Sequence, residues 1–210
     1  MPKITFISDT HNKHNSIKIP ETDILIHAGD ATGRGTLQEV KSFLAWLSNQ
    51  PAQHKIYVAG NHDFLFERDP GYAKMLLSEH DNISYLQDSM IEVMGLKIYG
   101  SPHQPEFYNW AFNRTSDQLK AIWSEIPSEI DILVTHGPPY GILDKTADND
   151  IVGCKWLREE VLGRVKPKIH HFGHIHEEYG AIKIDDTVFV NSSICNLMYR
   201  PDNKPITLEL

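Results

Sequence analysis

Apolar runs of strand length alternate with amphipathic stretches through the first half of the chain. Lys3–Ser8, Ile24–Ala28 and Lys55–Ala59 are close to continuously apolar. Without a polar face, each predicts a strand covered on both sides. Between the second and third run, Leu37, Val40, Phe43, Leu44 and Leu47 recur at helical spacing and predict a helix with one buried face. Thr36 and Glu39 have the pattern of a capping box at its start, and Pro51 follows its end. Leu119, Ile122 and Trp123 predict a helix over 115–126, and Trp156, Leu157, Val161 and Leu162 another over 153–165. The second half carries hairpin signals, with 91–94 and 96–99 around Gly95, and 181–184 and 187–191 around Asp185-Asp186. Further strands are predicted at 131–134, 168–172 and 206–210. This mixture belongs to the α/β (α+β) class. No repeat or linker interrupts it, so one domain over 1–210 is expected.

Composition narrows the function classes. Hydrophobic residues make up 40% and charged residues 23%, a globular balance. No apolar run approaches the ~18 residues of a membrane-spanning helix. Met1-Pro2-Lys3 leads into Ile4–Ile7 without the apolar region of a signal peptide, and two cysteines make no disulfide scaffold. A cytoplasmic protein is therefore expected. The net charge of −8 excludes a chain-wide basic surface and weighs against nucleic acid as a partner. Against this background the 12 histidines stand out.

Many of them fall at strand ends. Five apolar strands finish in polar clusters: Asp9 with His11, Asp30, Asn61 with His62, His136, and His174 with His176. In α/β sheets, sites form beyond the carboxyl ends of the strands, so these clusters are expected to converge. Aspartate, asparagine and histidine offer oxygen and nitrogen donors without thiolate, which suits manganese, iron or zinc. The donors are too many for one tetrahedral zinc and suit two metals sharing a carboxylate.

Asp9-x-His11, Gly29-Asp30, Gly60-Asn61-His62-Asp63, Thr135-His136-Gly137 and Gly173-His174-Ile175-His176, in that order, resemble the five motifs of the calcineurin-like metallophosphoesterases. The loop from Gly100-Ser101-Pro102 to Asn109-Trp110-Ala111-Phe112 is similar to the metallophosphoesterase-domain-containing phosphodiesterase subgroup. The resemblance implies a four-layer αββα sandwich of two mixed β-sheets flanked by helices. It implies that Asp9, His11 and His176 hold one divalent ion, that Asp30 bridges, and that Asn61, His136 and His174 hold the second. Manganese is the expected metal, and iron or zinc is accepted by the same donors. His62 is implied to bind no metal and to protonate the leaving oxygen or hydrogen-bond the phosphate, tasks that a pKa near neutrality serves.

A phosphodiesterase is expected, acting on a small phosphodiester or cyclic nucleotide by in-line attack of a metal-bridging hydroxide. The alternatives are a phosphomonoesterase, a nuclease, or a non-catalytic scaffold. The acidic charge and short chain weigh against the nuclease, and the intact ligand set with His62 weighs against the scaffold. The expected partner is a small phosphoester, nucleotides included, with no membrane; oligomeric state stays open.

The sequence departs from the family pattern at one position. Many protein phosphatases of the family read Asp-x-x-Asp-Arg-Gly, where the second aspartate orients the catalytic histidine. Here the stretch is Asp30-Ala31-Thr32-Gly33-Arg34-Gly35. Orientation of His62 then falls to Asp63 or to a backbone carbonyl, and a protein-phosphatase assignment is disfavoured. Arg34 remains a candidate phosphate contact, and Asn61 and His103 are further candidate substrate contacts. His103, Trp110 and Phe112 share a long loop, readable as a lid with an aromatic face for a nucleobase or as a loop anchored to the core. His14, His54 and His80 lack motif context and are expected to be packed or solvated. His27 is expected in the core, and His170 and His171 on opposite faces of one strand. Cys154 and Cys195 read as small hydrophobes. Asn191-Ser192-Ser193 is expected to close a strand near the site.

Overall fold

The structure, a computed structural model, describes residues 1–210. Its first two strands show why the apolar runs lack a polar face. In β1 (Lys3–Ile7) the side chains of Ile4 and Phe6 enter one core and Ile7 enters another; in β2 (Thr22–His27) Ile24 and Ile26 divide from Leu25 in the same way. Strand alternation sends successive side chains to opposite faces, and here both faces are covered. Helix α1 (Leu37–Ser48) begins at the capping box, with Glu39 Oε2 accepting from the Thr36 N–H at 2.9 Å, and buries Val40, Phe43, Leu44 and Leu47. After β3 (Ala52–Tyr57) come two short helices, α2 (Phe64–Arg68) and α3 (Pro70–Leu77), then β4 (Ile83–Tyr85).

A hairpin follows, β5 (Ser89–Val93) and β6 (Leu96–Ser101), turned by Met94 and Gly95, both at positive φ as a tight two-residue turn requires. The short pair β7 (Gln104–Pro105) and β8 (Asn113–Arg114) braces the loop between them. Then come α4 (Ser116–Ser124), β9 (Ile132–Thr135), α5 (Lys155–Glu160), β10 (Ile169–Phe172), the hairpin β11 (Gly180–Ile184) and β12 (Thr187–Asn191), and β13 (Ile206–Glu209).

Two mixed sheets result. One has the order β13-β1-β2-β3-β4, parallel except for β13; the other has the order β11-β12-β10-β9-β6-β5, parallel in its four central strands. Ile4, Phe6, Ile24, Ile56, Ile98, Ile132 and Val190 fill the space between the sheets. A second core packs α1, α2 and α3 on the first sheet through Phe43, Leu44, Phe66 and Leu76. A third packs α4 and α5 on the second sheet through Leu119, Trp123, Leu157 and Phe189. Helix, sheet, sheet and helix therefore form four layers. No helix is long and apolar enough to cross a membrane.

The structure differs from the sequence expectations in detail. The third strand begins at Ala52 and ends at Tyr57, so Val58 and Ala59 already belong to the turn toward the site. Residues 64–85, for which the sequence pattern predicts no element, hold α2, α3 and β4. Asp69 ends one helix and caps the next by accepting from the Tyr72 N–H at 3.0 Å, with Pro70 in the first turn, so neither helix is long enough to show a period. The helix expected over 153–165 is α5 extended by one wider turn, Val161–Val165, which ends where Lys166 turns left-handed at φ 47°.

Candidate metal centre

The loops leaving β1, β2, β3, β9 and β10 bring together all the side chains that the sequence pattern assembles. The backbone there is contorted. Asp9, His11, Asp30 and His174 sit at φ 51°, 39°, 55° and 70°, a region that costs a non-glycine residue about 1 kcal/mol or more. Main-chain bonds hold the turns: the Asp9 N–H donates to the Gly29 carbonyl at 2.8 Å, and the His11 N–H to the Asp30 carbonyl at 3.0 Å. Two glycines allow the approach. A Cβ on Gly60 would collide with the Asp30 backbone and carboxylate, and one on Gly173 would collide with Asp9 Oδ2 and Ser8. The Gly-Asn-His and Gly-His-x-His motifs thus need their glycines for lack of room.

The donors fall into two groups that meet at Asp30. Asp9 Oδ1 lies 3.4 Å from His176 Nε2 and 3.9 Å from His11 Nε2. On the other side, His136 Nε2 lies 3.4 Å from Asp30 Oδ1 and 2.8 Å from Asn61 Oδ1, and His174 belongs to the same group. Asp30 Oδ2 faces His11 and His62, each at 3.8 Å, so one carboxylate reaches both groups. His62 stands within reach of the His11 and Asp30 donors as well.

Hydrogen bonds on the back of the rings fix which nitrogen faces inward. His136 Nδ1–H donates to the Ala28 carbonyl at 2.8 Å and His176 Nδ1–H to the Asn196 carbonyl at 3.1 Å. Their Nε2 lone pairs therefore point into the cluster. The Nε2 atoms of His11 and His176 are 3.2 Å apart, and Asp9 Oδ1 is buried with no hydrogen-bond partner. Lone pairs this close repel unless a cation or proton lies among them. The donor set therefore fits divalent ions, and its oxygen and nitrogen chemistry fits hard or borderline metals.

The proton affinities agree. Burial pushes His174 down to about 3 and His11 down to about 4, leaving both neutral. Burial acts the same way on His136 and His176, but Asp30 beside the first and Asp9 beside the second overcome it and raise them to about 9 and about 8. Burial alone would raise Asp9 and Asp30; the imidazoles around them, led by His176 and His136 respectively, hold both well below the ordinary carboxylate value. Protons on His136 and His176 are the charge that metal ions would displace.

His62 is oriented by the main chain at Gly33. Its Nδ1–H donates to the Gly33 carbonyl at 2.7 Å. A Cβ at residue 33 would stand 2.9 Å from Asn12 Nδ2 and 3.0 Å from Glu39 Oε1, so a larger side chain would require those two side chains to shift. Asp63, the other candidate, accepts from the N–H groups of Gly60 and Thr32 and from Thr32 Oγ1, and ties the loops together without touching the His62 ring.

Two of the expected substrate contacts do not line the donor cleft. His103 is buried, does not line the donor cleft, and pairs its Nε2 with Asp88 Oδ2 at 2.8 Å. Arg34 is exposed and lines a neighbouring cleft on Trp110 rather than the one over the donors. Asn61 does lie in the cluster. In the long loop Phe112 is buried in the helix-side core, as the anchored reading expects, while Trp110 stacks on His62 with centroids 4.2 Å apart.

Several neighbours carry no sequence signal. Phe107 packs edge-on against His174, Tyr199 against His11, and both line the donor cleft of about 230 Å3 with Leu197 and Trp110. Ser193 Oγ and the His174 N–H both donate to Asp9 Oδ2 at 2.9 Å, which explains why the strand-closing Asn191-Ser192-Ser193 belongs here. Three further histidines are structural: His27 bonds Thr10 and Gly29, His170 bonds Thr135, and His171 bonds Ser192, all in the interior. Cys154 and Cys195 are buried.

A four-layer αββα fold with Asp, Asn and His donors at its strand ends is that of the metal-dependent phosphoester hydrolases. Comparison with known proteins makes the class specific: residues 2–178 match the calcineurin-like phosphoesterase family, and the chain belongs to it. It is 42% identical over 226 residues to metallophosphoesterase domain-containing protein 1 of Homo sapiens and of Mus musculus, covering 97% of this chain and 69% of theirs. A UPF0046 protein of Caenorhabditis elegans is 37% identical, with 97% of this chain and 79% of that protein covered. Among solved structures, TT1561 of Thermus thermophilus shares the fold at TM-score 0.65 and 14% identity, over 90% of this chain and 88% of that one.

Proposed function

We propose that this chain is a dinuclear metal-dependent phosphodiesterase, folded as one domain, that hydrolyses small phosphodiesters, cyclic nucleotides included. The observation that carries the reading is the shared carboxylate: Asp30 stands between two donor groups, and His62 faces the same carboxylate from the open side. Asp9, His11 and His176 would hold one ion, Asn61, His136 and His174 the other, and Asp30 both; manganese suits these donors. Bound divalent ions would supply Lewis acidity for the phosphoryl oxygens and an acidified water. The chain's own residues do the rest. Asp9 is fixed by Ser193 and the His174 N–H, and the inward nitrogens of His136 and His176 are fixed by carbonyls. His62, held through Nδ1, presents Nε2 to the cleft and protonates the leaving oxygen, while Trp110 covers part of its ring.

Diester preference is supported by what lines the donor cleft. Its walls are Phe107, Trp110, Leu197 and Tyr199, with Glu177 and no lysine or arginine. A monoester dianion would demand more cationic partners than a diester monoanion. The test is a parallel assay of bis(p-nitrophenyl) phosphate, p-nitrophenyl phosphate and cyclic nucleotides with manganese added to stripped protein. Diester turnover above monoester turnover is expected; the reverse order would replace the reading by a phosphomonoesterase.

A further inference from the structure

A second cleft, of about 520 Å3, shares Trp110 with the donor cleft and is otherwise lined by Arg34, Phe64, Arg68, Tyr108 and Asn109. Its two guanidinium groups are unpaired in a chain with 28 acidic residues. Arg34 is held only through its main-chain N–H, which donates to Glu39, and Arg68 lies over the Phe64 ring at 4.2 Å. The arginines that do meet carboxylates are Arg114, Arg164 and Arg200. Guanidinium groups recognise carboxylate and phosphate by paired donors, and ring faces recognise planar groups. The wall between the clefts is also the ring stacked on His62, at 4.2 Å and 30°. The two clefts therefore adjoin at the ring that stacks on the proposed proton donor.

We propose that this cleft is the leaving-group subsite, and that Arg34 and Arg68 select substrates whose leaving group carries an aromatic ring and a negative charge of its own. The inference rests on the phosphodiesterase reading, with His62 as proton donor. In the step, the oxygen of water bonds to phosphorus and the bond from phosphorus to the leaving oxygen breaks. The electron pair stays on that oxygen, which takes the His62 proton; a proton from water restores the imidazolium. The products are a phosphomonoester and the anionic aryl alcohol.

Two substrates separate the subsite from the chemistry: methyl p-nitrophenyl phosphate and its analogue with a carboxylate on the ring. With manganese-loaded protein, kcat/KM is expected to favour the carboxylated ester by about tenfold, the scale of a paired guanidinium contact. The double variant Arg34→Ala with Arg68→Ala should bring the ratio near unity, and Arg34→Lys with Arg68→Lys, which keeps the charge without the paired donors, should keep only part of it. Calorimetric titration of the carboxylated p-nitrophenol into the same proteins should show Kd weakened about tenfold in the double alanine variant. An unchanged ratio and an unchanged Kd would overturn the subsite. If the wild type hydrolyses neither ester, the phosphodiesterase reading fails, and the Kd comparison still decides whether Arg34 and Arg68 bind the anionic ring.

Discussion

At the scale of single residues, His62 and Asp30 carry different consequences. His62 meets the donors only at the edge of the cluster, so His62→Ala is expected to retain metal by elemental analysis while kcat falls by about a hundredfold to ten-thousandfold. Asp30 faces both donor groups, so Asp30→Asn should lose metal itself, and metal content equal to wild type would remove it from the shared position. The titration of His136 and His176 gives a pH dependence with a definite sign. Both are raised above their ordinary value of 6.5, to about 9 and about 8, by the carboxylates they face. Without metal, the stability they contribute is complete below pH 6.5 and is lost as pH rises through about 8 to 9. Metal displaces those protons, so affinity should instead rise over the same interval. Melting temperatures with and without manganese, measured across it, should diverge with increasing pH.

The donors were legible in the sequence because each motif sits at the end of an apolar run, and chemistry so placed has few places to go. Phe107, Asn196 and Tyr199 were not, because their roles depend on loops that meet only in three dimensions. The placement of His103 has the same origin: its partner Asp88 follows a different strand, and nothing local tells a buried hydrogen bond from a substrate contact.

At the scale of elements, the first turn of α1 reaches into the site. Glu39 completes the capping box and accepts from the N–H groups of Gly33 and Arg34 and from Asn12. It therefore holds the turn whose Gly33 carbonyl orients His62. Glu39→Ala is expected to cost about 1 kcal/mol as a lost cap. It should also lower kcat with metal content unchanged, since the His62 ring loses its anchor. A lower melting temperature with normal kcat would confine Glu39 to the helix. The capping box itself was readable from Thr36 and Glu39; its connection to Gly33 was not. Strands β1 and β2 were readable because both of their faces are buried, whereas α2 and α3 escaped because Asp69 and Pro70 divide the segment into pieces too short to show a period.

At the scale of the whole molecule, the site is a seam. Asp9, Asp30 and Asn61 follow strands of one sheet, His136 and His174 strands of the other, and the core between the sheets fixes their separation. Ions held across that seam would tie the two halves together, so manganese at a hundred times its Kd should add about 2.7 kcal/mol to unfolding free energy for each ion bound. The same ions would reverse the local field: bound in the proposed centre, they would put the most concentrated positive charge of a chain of net charge −8 where a phosphoester would bind, reconciling acidic composition with an anionic substrate. The sheet order and the meeting of the two halves came from the structure, since alternation along one strand says nothing about which strand lies beside it.

The central claim, two cooperating ions on one shared carboxylate, is tested most directly by titrating manganese into stripped protein while following hydrolysis of bis(p-nitrophenyl) phosphate and bound metal together. Activity that rises with the second bound ion per chain and saturates there is the expected result. Full activity with one ion bound, or none with two, would contradict it.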